Sequence, residues 1–523
     1  AKNIKVMTET VEPDLLSQLM RVREWSQLSR TGDLNELSDK DLKSVGGLIT
    51  STTDNCLGGE CPSVDVCPLY RAREKAVHAD IVIVNHHLLM ADLAMKEESI
   101  SSLLPSADVV IVDEAHQISS VARHFFGETV TSGQLMELSR DVKRELQMLG
   151  NDNPELRRSA MGYEDSVNGL SRVFSMNAAI DLEELLTMVE IQDAIDEMDL
   201  SFSTLAELLE ASAIRSKVLQ QCYQRCLRLM DRFAVLTEQV EADSVYAHWI
   251  ERQEKSFTLR LSPVVIADSL SPFFQEPNKS WIFTSATLSV AEKFDHARSA
   301  LGLEDDPEYR FESPFDFSEQ VRGLIPHGIP VPGSNDHTTA LMAFCLPILK
   351  ANQGRSFILF TSYKALHAAR AIIAETDGIN YLVQGAMSRQ KLLDKFKIIP
   401  RCVLLATQGF WEGIDVKGTD LRCVVIDKLP FTNPSDPLHV AQMRLAAAKG
   451  ENGFSSVSIP DAAISLKQGF GRLIRQESDK GLFVLGANRV LTKSYGGKFL
   501  KSLPDMPWLG SQQEAITYME SLD

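Results

Sequence analysis

The sequence predicts an α/β protein with two parallel-sheet domains, the first interrupted by a cysteine-rich module and by an all-helical insertion. Continuous β-branched apolar runs recur along the chain, and such runs are typical of strands covered on both faces of a parallel sheet. Stretches with helical spacing separate these runs. One long segment, 129–260, has helical spacing and almost no strand signal, which predicts an insertion of helices.

Length and composition set the frame for this prediction. A chain of 523 residues is too long for one hydrophobic core and divides into about three domains. It is 44% hydrophobic and 24% charged, as ordinary globular proteins are. No stretch approaches the roughly 20 apolar residues that span a bilayer. Eight cysteines, mostly scattered, favour the reducing cytosol.

The formal net charge of −18 excludes a chain that coats nucleic acid without selectivity, but the charge is unevenly distributed. Residues 181–210 contain ten acidic side chains and no Lys or Arg. Residues 467–501 contain eight Lys or Arg against two acidic side chains. The basic segment is the candidate for phosphate contacts. The acidic run suits either a partner surface or an ordinary solvated helix face.

The elements follow in order along the chain. The runs ADIVIVNHHLLMADL (79–93) and ADVVIVDEAHQI (107–118) each predict a buried strand that ends in polar residues. After the insertion, further strands are predicted in SWIFTSATL (280–288), RSFILFTSY (355–363), RCVLLATQGF (401–410), LRCVVIDKLP (421–430) and GLFVLGANR (481–489). We expect the domains to be residues 1–78 (cysteine module), 79–128 with 261–318 (first α/β domain), 129–260 (insertion) and 319–523 (second α/β domain).

A cluster of cysteines near the start of the chain indicates a metal site. Cys56, Cys61 and Cys67 lie within twelve positions of one another, and a cysteine cluster in a cytosolic protein is more often metal-binding than disulfide-forming. Three thiolates nearly complete a site of four ligands. The residues leave two alternatives open, an iron–sulfur cluster with a fourth cysteine elsewhere or a zinc site with His78 or another residue as fourth ligand.

Two carboxylates follow the predicted strand of VIVDEAH. Asp113 and Glu114 stand at its carboxyl end, where open α/β sheets bind ligands. An Asp at this position holds Mg²⁺ on a nucleotide's phosphates, and an adjacent Glu orients or deprotonates the attacking water. A strand-to-helix turn that uses Asp only as a cap is the alternative.

Two further segments accompany these carboxylates. Thr284, Ser285 and Thr287 of FTSATL supply hydroxyls at another strand end. In QGFGRLIRQ, the residues Gln468, Arg472 and Arg475 have i, i+4 and i+3 spacing, which predicts one shared helix face. Arginines presented in this way stabilise charge on a transferring phosphoryl group. A solvated basic face is the alternative.

These motifs together identify a family. DEAH, TSAT, GFWEGID and QGFGRLIR have the order and spacing of a superfamily 2 helicase, and the chain resembles most its iron–sulfur branch, the XPD/DinG group. The pattern covers residues 50 to 505. STTDNCLGGECP, WIFTSATLSV, IDKLPFTNPSDPL and LKQGFGRLIR are most similar to a bacterial paralogue of DinG. The resemblance implies two RecA-like motor domains, with an iron–sulfur module and a helical arch inserted in the first.

The resemblance also implies roles for individual residues. Asp113 corresponds to the Mg²⁺-binding Asp, Glu114 to the catalytic Glu, and His116 to a residue that couples ATP to DNA. The other roles fall in three sets: coupling residues Thr284, Ser285 and Thr287; fifth-motif residues Glu412, Gly413 and Asp415, which contact nucleotide and DNA; and sixth-motif residues Gln468, Arg472 and Arg475, which contact the nucleotide.

Three positions, Trp411, His86 and His87, have a second interpretation beside the family role. Trp411 stacks on a base or packs at a strand end. His86 and His87 match the VNHH segment of the family. Without that match, they would be interpreted as capping or core histidines. The family usually has an Asp where Ala487 stands, which leaves the pairing of Arg489 open. The other cysteines, Cys222, Cys226, Cys345, Cys402 and Cys423, lie in apolar contexts and are expected to pack in cores.

For the three clustered cysteines, the resemblance implies a [4Fe–4S] cluster whose first ligand lies upstream of Cys56. The chain also contains no G-x-x-x-x-G-K-[ST] loop, which a helicase needs to hold the phosphates of ATP. Because the family places this loop upstream of the first cluster cysteine, we expect the chain to begin after both. These residues alone are then expected neither to hydrolyse ATP nor to unwind DNA.

The leading hypothesis is an ATP-dependent DNA helicase that uses ATP, Mg²⁺ and the cluster. The resemblance implies a cytoplasmic, nucleoid-associated monomer that moves 5′ to 3′ on single-stranded or forked DNA in repair or replication stress. A replisome or single-strand-binding protein is a possible partner, and no membrane is expected. Alternatives are an RNA helicase and a non-catalytic DNA- or replisome-binding module with a structural metal. A nuclease needs a further acidic constellation that the sequence does not display.

Overall fold

The computed structural model describes most of the chain. The described residues are 13–37, 45–46, 49–50, 56, 58–61, 63–97, 102–177, 181–238, 245–289, 293–303, 306–410, 416 and 418–522. They divide into two compact units, the first drawn from 1–108, 121–242 and 248–262 and the second from 109–120, 243–247 and 263–523.

The strands are β1 (Val109–Val112), β2 (Glu128–Thr131), β3 (Tyr246–Gln253), β4 (Ser256–Pro263), β5 (Ser280–Phe283), β6 (Val321–Leu324), β7 (Ser356–Phe360), β8 (Asn380–Val383), β9 (Cys402–Thr407), β10 (Cys423–Ile426), β11 (Gly481–Leu485) and β12 (Trp508–Leu509).

The α-helices are α1 (Pro13–Leu28), α2 (Pro68–Val77), α3 (His86–Glu97), α4 (Ile118–Ala122), α5 (Ser132–Met148), α6 (Pro154–Met176), α7 (Leu182–Leu185), α8 (Val189–Ser212), α9 (Lys217–Thr237), α10 (Ala267–Phe274), α11 (Asp295–Leu301), α12 (Phe317–Gln320), α13 (His337–Ala351), α14 (Tyr363–Ala374), α15 (Arg389–Ile398), α16 (Pro437–Ala448), α17 (Ile459–Phe470), α18 (Arg489–Thr492), α19 (Gly496–Ser502) and α20 (Gln512–Ser521).

A seven-stranded sheet forms the main framework of the second unit. Its order is β12-β6-β11-β10-β7-β9-β8, and each of its neighbouring strand pairs is parallel. Every residue of β7, β9, β10 and β11 is buried, because hydrophobic clusters cover both faces of the sheet. The predicted parallel α/β class is therefore confirmed for this part of the chain, and the continuous apolar runs are its cause.

A two-stranded parallel sheet carries the DEAH and TSAT segments. β1 pairs with β5 in the register Val109↔Ser280 to Val112↔Phe283. Val109 and Ile111 of β1 are 51% and 66% exposed. This small sheet therefore aligns the ends of the two strands without burying them as the larger sheet does.

The strand predicted within 79–93 is wrong. Residues 81–85 belong to no described strand, and α3 begins at His86. Ile81 and Ile83 are 82% and 94% exposed. An apolar run forms a strand only where a neighbouring strand takes up its backbone hydrogen bonds, and the described residues provide none here.

The insertion contains the predicted helices and also a sheet. Helices α5 to α9 pack around one core that includes Tyr163, Phe202 and Phe233. A sheet of order β2-β4-β3, in which β2 and β4 are antiparallel, brings the two chain ends of the insertion together. The insertion is therefore not all helical. The alternation of Phe257, Leu259 and Leu261 with polar residues is the strand signal that the helical pattern obscured.

Among the described residues, no helix combines the length and the apolarity that crossing a bilayer requires.

Candidate functional site

The DEAH and TSAT segments meet directly after β1 and β5. The amide of Thr284 donates to the carbonyl of Val112 at 2.9 Å, and the amide of Ala115 donates to the carbonyl of Thr284 at 3.0 Å. The strand pairing thus continues one step beyond the sheet. Parallel strands end at the same edge, so residues separated by about 170 positions become neighbours.

The two DEAH carboxylates are held by the hydroxyls of TSAT. Asp113 Oδ1 accepts from Thr284 Oγ1 at 3.0 Å and from the Glu114 amide at 2.9 Å. Ser285 Oγ donates to Glu114 Oε2 at 3.1 Å. Glu114 has a left-handed backbone with φ 49° and ψ 43°, a conformation that costs a non-glycine residue energy and recurs at functional sites. Both carboxylates are exposed, so a ligand can reach them.

His116 connects this pair to a third segment. Its Nδ1 lies 2.8 Å from Ser285 Oγ, 3.1 Å from Thr287 Oγ1 and 3.5 Å from Glu114 Oε2. Its Nε2 contacts the side-chain amide nitrogen of Gln468.

Gln468 lies on α17, and the two arginines of the same motif lie beyond that helix. Gln468 is buried and α17 ends at Phe470. Arg472 and Arg475 follow in a turn, so the prediction that all three share one helix face is wrong. Gly469 and Gly471 at the end of the helix weaken it, because glycine has low helix propensity.

An ordered turn holds the arginines instead. The carboxylate of Asp479 accepts from the amides of Arg475 at 2.8 Å and Gln476 at 2.9 Å. The side-chain amide of Gln320 donates to the carbonyls of Gln476, Glu477 and Asp479 at 2.9 to 3.1 Å. These buried contacts replace the helical hydrogen bonds. The backbone beside Arg475 is therefore fixed by Asp479, four residues further along the chain, and by Gln320, a distant partner that the local sequence does not reveal.

A large cleft of about 2310 Å³ lies within the second unit beside this network. Thr284, Ser285 and Thr287 line it together with Lys467 and Arg475. Burial, and secondarily the charge of Arg310, lowers the pKa of Lys467. Hydroxyls and cations in one cleft are groups that bind phosphate.

Two polar residues that follow strands of the seven-stranded sheet, Asp427 and Gln384, were not predicted from the sequence. Asp427 follows the apolar strand β10, as Asp113 follows β1, and this shared pattern was the available signal. Its carboxylate is buried and accepts from the amides of Thr361 at 3.0 Å and Lys428 at 2.8 Å. Gln384, which follows β8, had no such signal, because its hydrogen-bond partners Tyr363 and Thr407 are 21 and 23 residues away in sequence.

Several predicted residues lie elsewhere. Trp411, Glu412, Gly413 and Asp415 are outside the described residues. Ala487 is buried in the core of the seven-stranded sheet, and Arg489 is an exposed residue that begins α18.

The histidines of the VNHH segment lie at the start of α3. Asn85 accepts from the amide of Leu88 at 2.8 Å and so caps the helix that His86 begins. The ring of His87 packs at 6.0 Å from that of Phe125. The capping side chain is therefore that of Asn85, and His87 is exposed rather than part of a core.

The three clustered thiols do not form a ligand set in this structure. Cys56 is exposed, Cys61 and Cys67 are half-buried, and Cys67 precedes α2 as its N-cap residue. In the part of the chain that the structure describes, no three His, Cys, Asp or Glu side chains lie close enough to hold a metal. Thiolates are the usual ligands of iron–sulfur clusters, so the donor chemistry fits. In their described positions, however, the three thiols do not surround a common site.

The remaining cysteines are core residues, as the sequence indicated. All five are buried, and they are Cys222, Cys226, Cys345, Cys402 and Cys423. Burial raises the pKa of the Cys222, Cys226, Cys402 and Cys423 thiols to about 12, and that of Cys345 also rises. Such thiols are inert as metal ligands.

Family models match two parts of the chain, DEAD_2 over residues 48–135 and the helicase C-terminal domain over residues 345–506. The chain is 34% identical over 518 residues to the ATP-dependent DNA helicase YoaA of Haemophilus influenzae, covering 98% of this chain and 80% of that protein. It is 36% identical over 507 residues to YoaA of Escherichia coli, covering 97% and 79%. It is 28% identical to the ATP-dependent helicase DinG of Mycobacterium tuberculosis, covering 93% and 73%.

Solved structures show the same fold. An XPD helicase matches with a TM-score of 0.52 at 16% identity, over 85% of this chain and 75% of that one. An XPD structure titled as the apo form matches with a TM-score of 0.50 at 14% identity, over 81% and 80%. At this identity, the likeness concerns the fold alone.

Proposed function

Because the chain belongs to the DinG/YoaA family of ATP-dependent DNA helicases, we propose that it couples ATP hydrolysis to DNA unwinding through the contacts that join Asp113 to Gln468. The observation that carries this proposal is the position of His116. One ring nitrogen contacts the hydroxyls of Ser285, which holds Glu114, and of Thr287, and the other ring nitrogen contacts Gln468. A change at the nucleotide phosphates therefore reaches α17 through a single side chain.

On the nucleotide side, Glu114 orients and deprotonates the attacking water, and Asp113 is the residue that would hold Mg²⁺. When bound, Mg²⁺ neutralises charge on the phosphates. Thr284 and Ser285 fix the two carboxylates with hydrogen bonds of 3.0 and 3.1 Å, which reduces the reorganisation needed at the moment of reaction. Arg472 and Arg475 supply positive charge to the transferring phosphoryl group.

On the DNA side, we propose single-stranded or forked DNA as substrate, with movement from 5′ to 3′ in repair or replication stress. Support for a phosphate-binding surface comes from the basic segment 467–501. The protein acts as a monomer in the cytoplasm at the nucleoid, and a replisome or single-strand-binding protein is a partner that the acidic insertion would suit. We also propose that the domains are residues 1–78, 79–128 with 261–318, 129–260 and 319–523.

The experiment that tests the proposal is Glu114→Gln in the gene product. The 523 residues contain no G-x-x-x-x-G-K-[ST] loop, and we propose that they are inactive alone. The substitution removes the general base and retains the side-chain size. We expect ATP turnover in the presence of single-stranded DNA to fall by at least about 100-fold, as loss of a general base does. Unwinding of a forked duplex should fall with it.

The matched control is Glu276→Gln, which neutralises a surface carboxylate that pairs with Lys279 at 3.1 Å. It should leave both rates unchanged. ATP turnover by the Glu114 variant close to that of the wild type would reject the assigned role.

We further propose that Cys56, Cys61 and Cys67 ligate a [4Fe–4S] cluster. Substitution of any one of them by Ser should lower iron and acid-labile sulfide in anaerobically purified protein and weaken the absorbance near 400 nm. The control is Cys222→Ala, because this thiol is buried in the insertion core. A wild-type protein that contains zinc and has no visible absorbance would show that the three cysteines hold a structural zinc ion instead of the cluster.

A further inference from the structure

Helix α17 is attached to the seven-stranded sheet and also contacts the DEAH segment. Its apolar residues Ala462, Leu466 and Phe470 belong to a core that also contains residues of β7, β10 and β11. Near the end of the helix, Gln468 contacts His116 of the DEAH segment. α17 is therefore an element through which the sheet meets the segment that carries the DEAH carboxylates.

A second contact lies at the beginning of α17. Asp461 is in the first turn of this helix, and its Oδ1 lies 3.2 Å from Nε2 of His296, which is in the first turn of α11. The side chains of His296 and Asp461 are 27% and 39% exposed, so the pair is partly shielded from solvent. A carboxylate and an imidazole at this distance attract each other, most strongly when the ring is protonated.

Helix α11, which carries His296, is itself bound to the DEAH segment. Ser119 Oγ, three residues after His116, donates to the carbonyl of Ala300 at 3.0 Å. Ala300 lies about one helical turn beyond His296 on α11. His296 is therefore carried by an element whose backbone is bound to the residues that directly follow the DEAH motif.

These contacts hold one face of α17 at two points. Asp461 and Gln468 are seven residues apart, which places them on the same face of the helix and about 10 Å apart along its axis. Beside the second point, Lys467 Nζ donates to the carbonyl of Ser289, two residues after the TSAT threonine, at 3.4 Å. A single contact would let the DEAH segment pivot against α17, whereas contacts two turns apart fix the direction of the helix.

We propose that His296 and Asp461 are positioning residues that align α17 with the DEAH segment, so that Gln468 meets His116 during DNA-stimulated ATP hydrolysis. This inference rests on the proposed function, because the pair acts through the coupling contact proposed there and not on the nucleotide itself. Loss of the pair should therefore weaken the response of ATP turnover to DNA and leave the KM for ATP nearly unchanged.

The test compares His296→Ala, Asp461→Ala and the double variant of the gene product. ATP turnover is measured with and without an oligothymidylate, and the ratio of the two rates is the DNA stimulation. We expect each single variant to reduce this stimulation about 2- to 30-fold, the range for residues that transmit coupling between sites. The KM for ATP should stay within about twofold of the wild type. The double variant should lose no more than a single variant, because each substitution removes the same contact.

An exchange of the two side chains tests whether they act as a pair. His296→Asp combined with Asp461→His places a carboxylate and an imidazole at the same two positions, and it should restore DNA stimulation to within about threefold of the wild type. Losses that add in the double alanine variant would overturn the proposal, as would unchanged stimulation in both single variants. A raised KM for ATP with unchanged stimulation would also overturn it, because the pair would then act at the nucleotide.

The control is Asp152→Ala, which breaks an exposed ion pair with Arg215, at 2.6 Å, in the insertion. It should leave DNA stimulation unchanged. The thermal midpoint of each single variant should shift by no more than about 4 °C, because such partly exposed pairs contribute little to stability. A larger fall would show that the pair maintains the fold and would overturn the positioning role. A wild-type protein whose ATP turnover does not respond to DNA would refute the proposed function, and this inference with it.

Discussion

Among single residues, those that follow the parallel strands differ in burial and therefore in role. Asp113 and Glu114 are exposed, so a ligand can reach them. Asp427, which follows β10 in the same way, is buried and binds two backbone amides instead. Burial raises the pKa of Asp427 from its ordinary 3.8 to about 7, and Lys428 opposes this rise only in part.

This shifted pKa predicts a pH dependence of stability. Between pH 3.8 and about 7 the folded protein keeps the Asp427 proton that the unfolded chain releases, so its stabilising contribution is full below pH 3.8 and is lost toward pH 7. Asp427→Asn cannot titrate and still accepts both amide hydrogen bonds. We expect its thermal midpoint to fall less between pH 5 and pH 8 than that of the wild type.

The control for this measurement is Asp377→Asn, at an exposed position after α14. Its midpoint should follow the wild-type curve across the same pH range. Parallel curves for Asp427→Asn and the wild type would show that the Asp427 carboxyl titrates near its ordinary pKa.

At the scale of elements, two turns of the seven-stranded domain need a left-handed backbone. Gly354, which precedes β7, has φ +78°, and Gly378, which precedes β8, has φ +83°. A Cβ at Gly354 would lie 2.1 Å from the carbonyl carbon of Arg401, whereas nothing lies within 4 Å of a Cβ at Gly378. The two positions share the backbone conformation and differ only in the space around it.

This pair separates backbone strain from collision. Gly378→Ala should cost about 1–2 kcal/mol, the strain of a left-handed residue. Gly354→Ala should cost about 3 kcal/mol or more, since the new methyl group also displaces the start of β9. Thermal unfolding of the two variants measures both costs. Equal losses of stability would mean that the chain at Arg401 yields without resistance.

At the scale of the whole molecule, the insertion has a core of its own. The buried apolar residues of this core all lie between Val130 and Leu259. The antiparallel pairing of β2 with β4, from Glu128↔Leu261 to Thr131↔Thr258, brings the two chain ends of the insertion together. A segment with its own core and adjacent ends meets the usual conditions for independent folding.

We therefore expect residues 128–263, expressed alone, to fold. Far-UV circular dichroism should show a helical protein with one cooperative thermal transition. Phe202→Ala provides a comparison, because Phe202 is fully buried in this core and its truncation typically costs about 3–5 kcal/mol. A segment that melts without cooperativity, or whose melt is unaffected by Phe202→Ala, would show that the core needs the remainder of the chain.

Local sequence determined much of this protein. The buried strands of the second α/β domain follow from their apolar runs, because such runs are stable only between two covered faces. The helices of the insertion follow from their spacing. The order of DEAH, TSAT and QGFGRLIR predicted the helicase family, and the comparisons with known proteins confirm this prediction. The strand and helix signals lie within the segments that they specify, and each motif is itself a short stretch of sequence.

Tertiary structure decided what depends on distant partners. The run at 81–84 has the residues of a strand, but a strand needs a neighbour, and no local pattern supplies one. Arg475 lies outside its predicted helix, because the distant Gln320 binds the carbonyls of the turn in which Asp479 accepts from the Arg475 amide. Gln384 holds Tyr363 only because parallel strands bring their carboxyl ends to one edge. Local sequence specifies which backbone conformations are favourable, whereas hydrogen bonds between distant residues select among them.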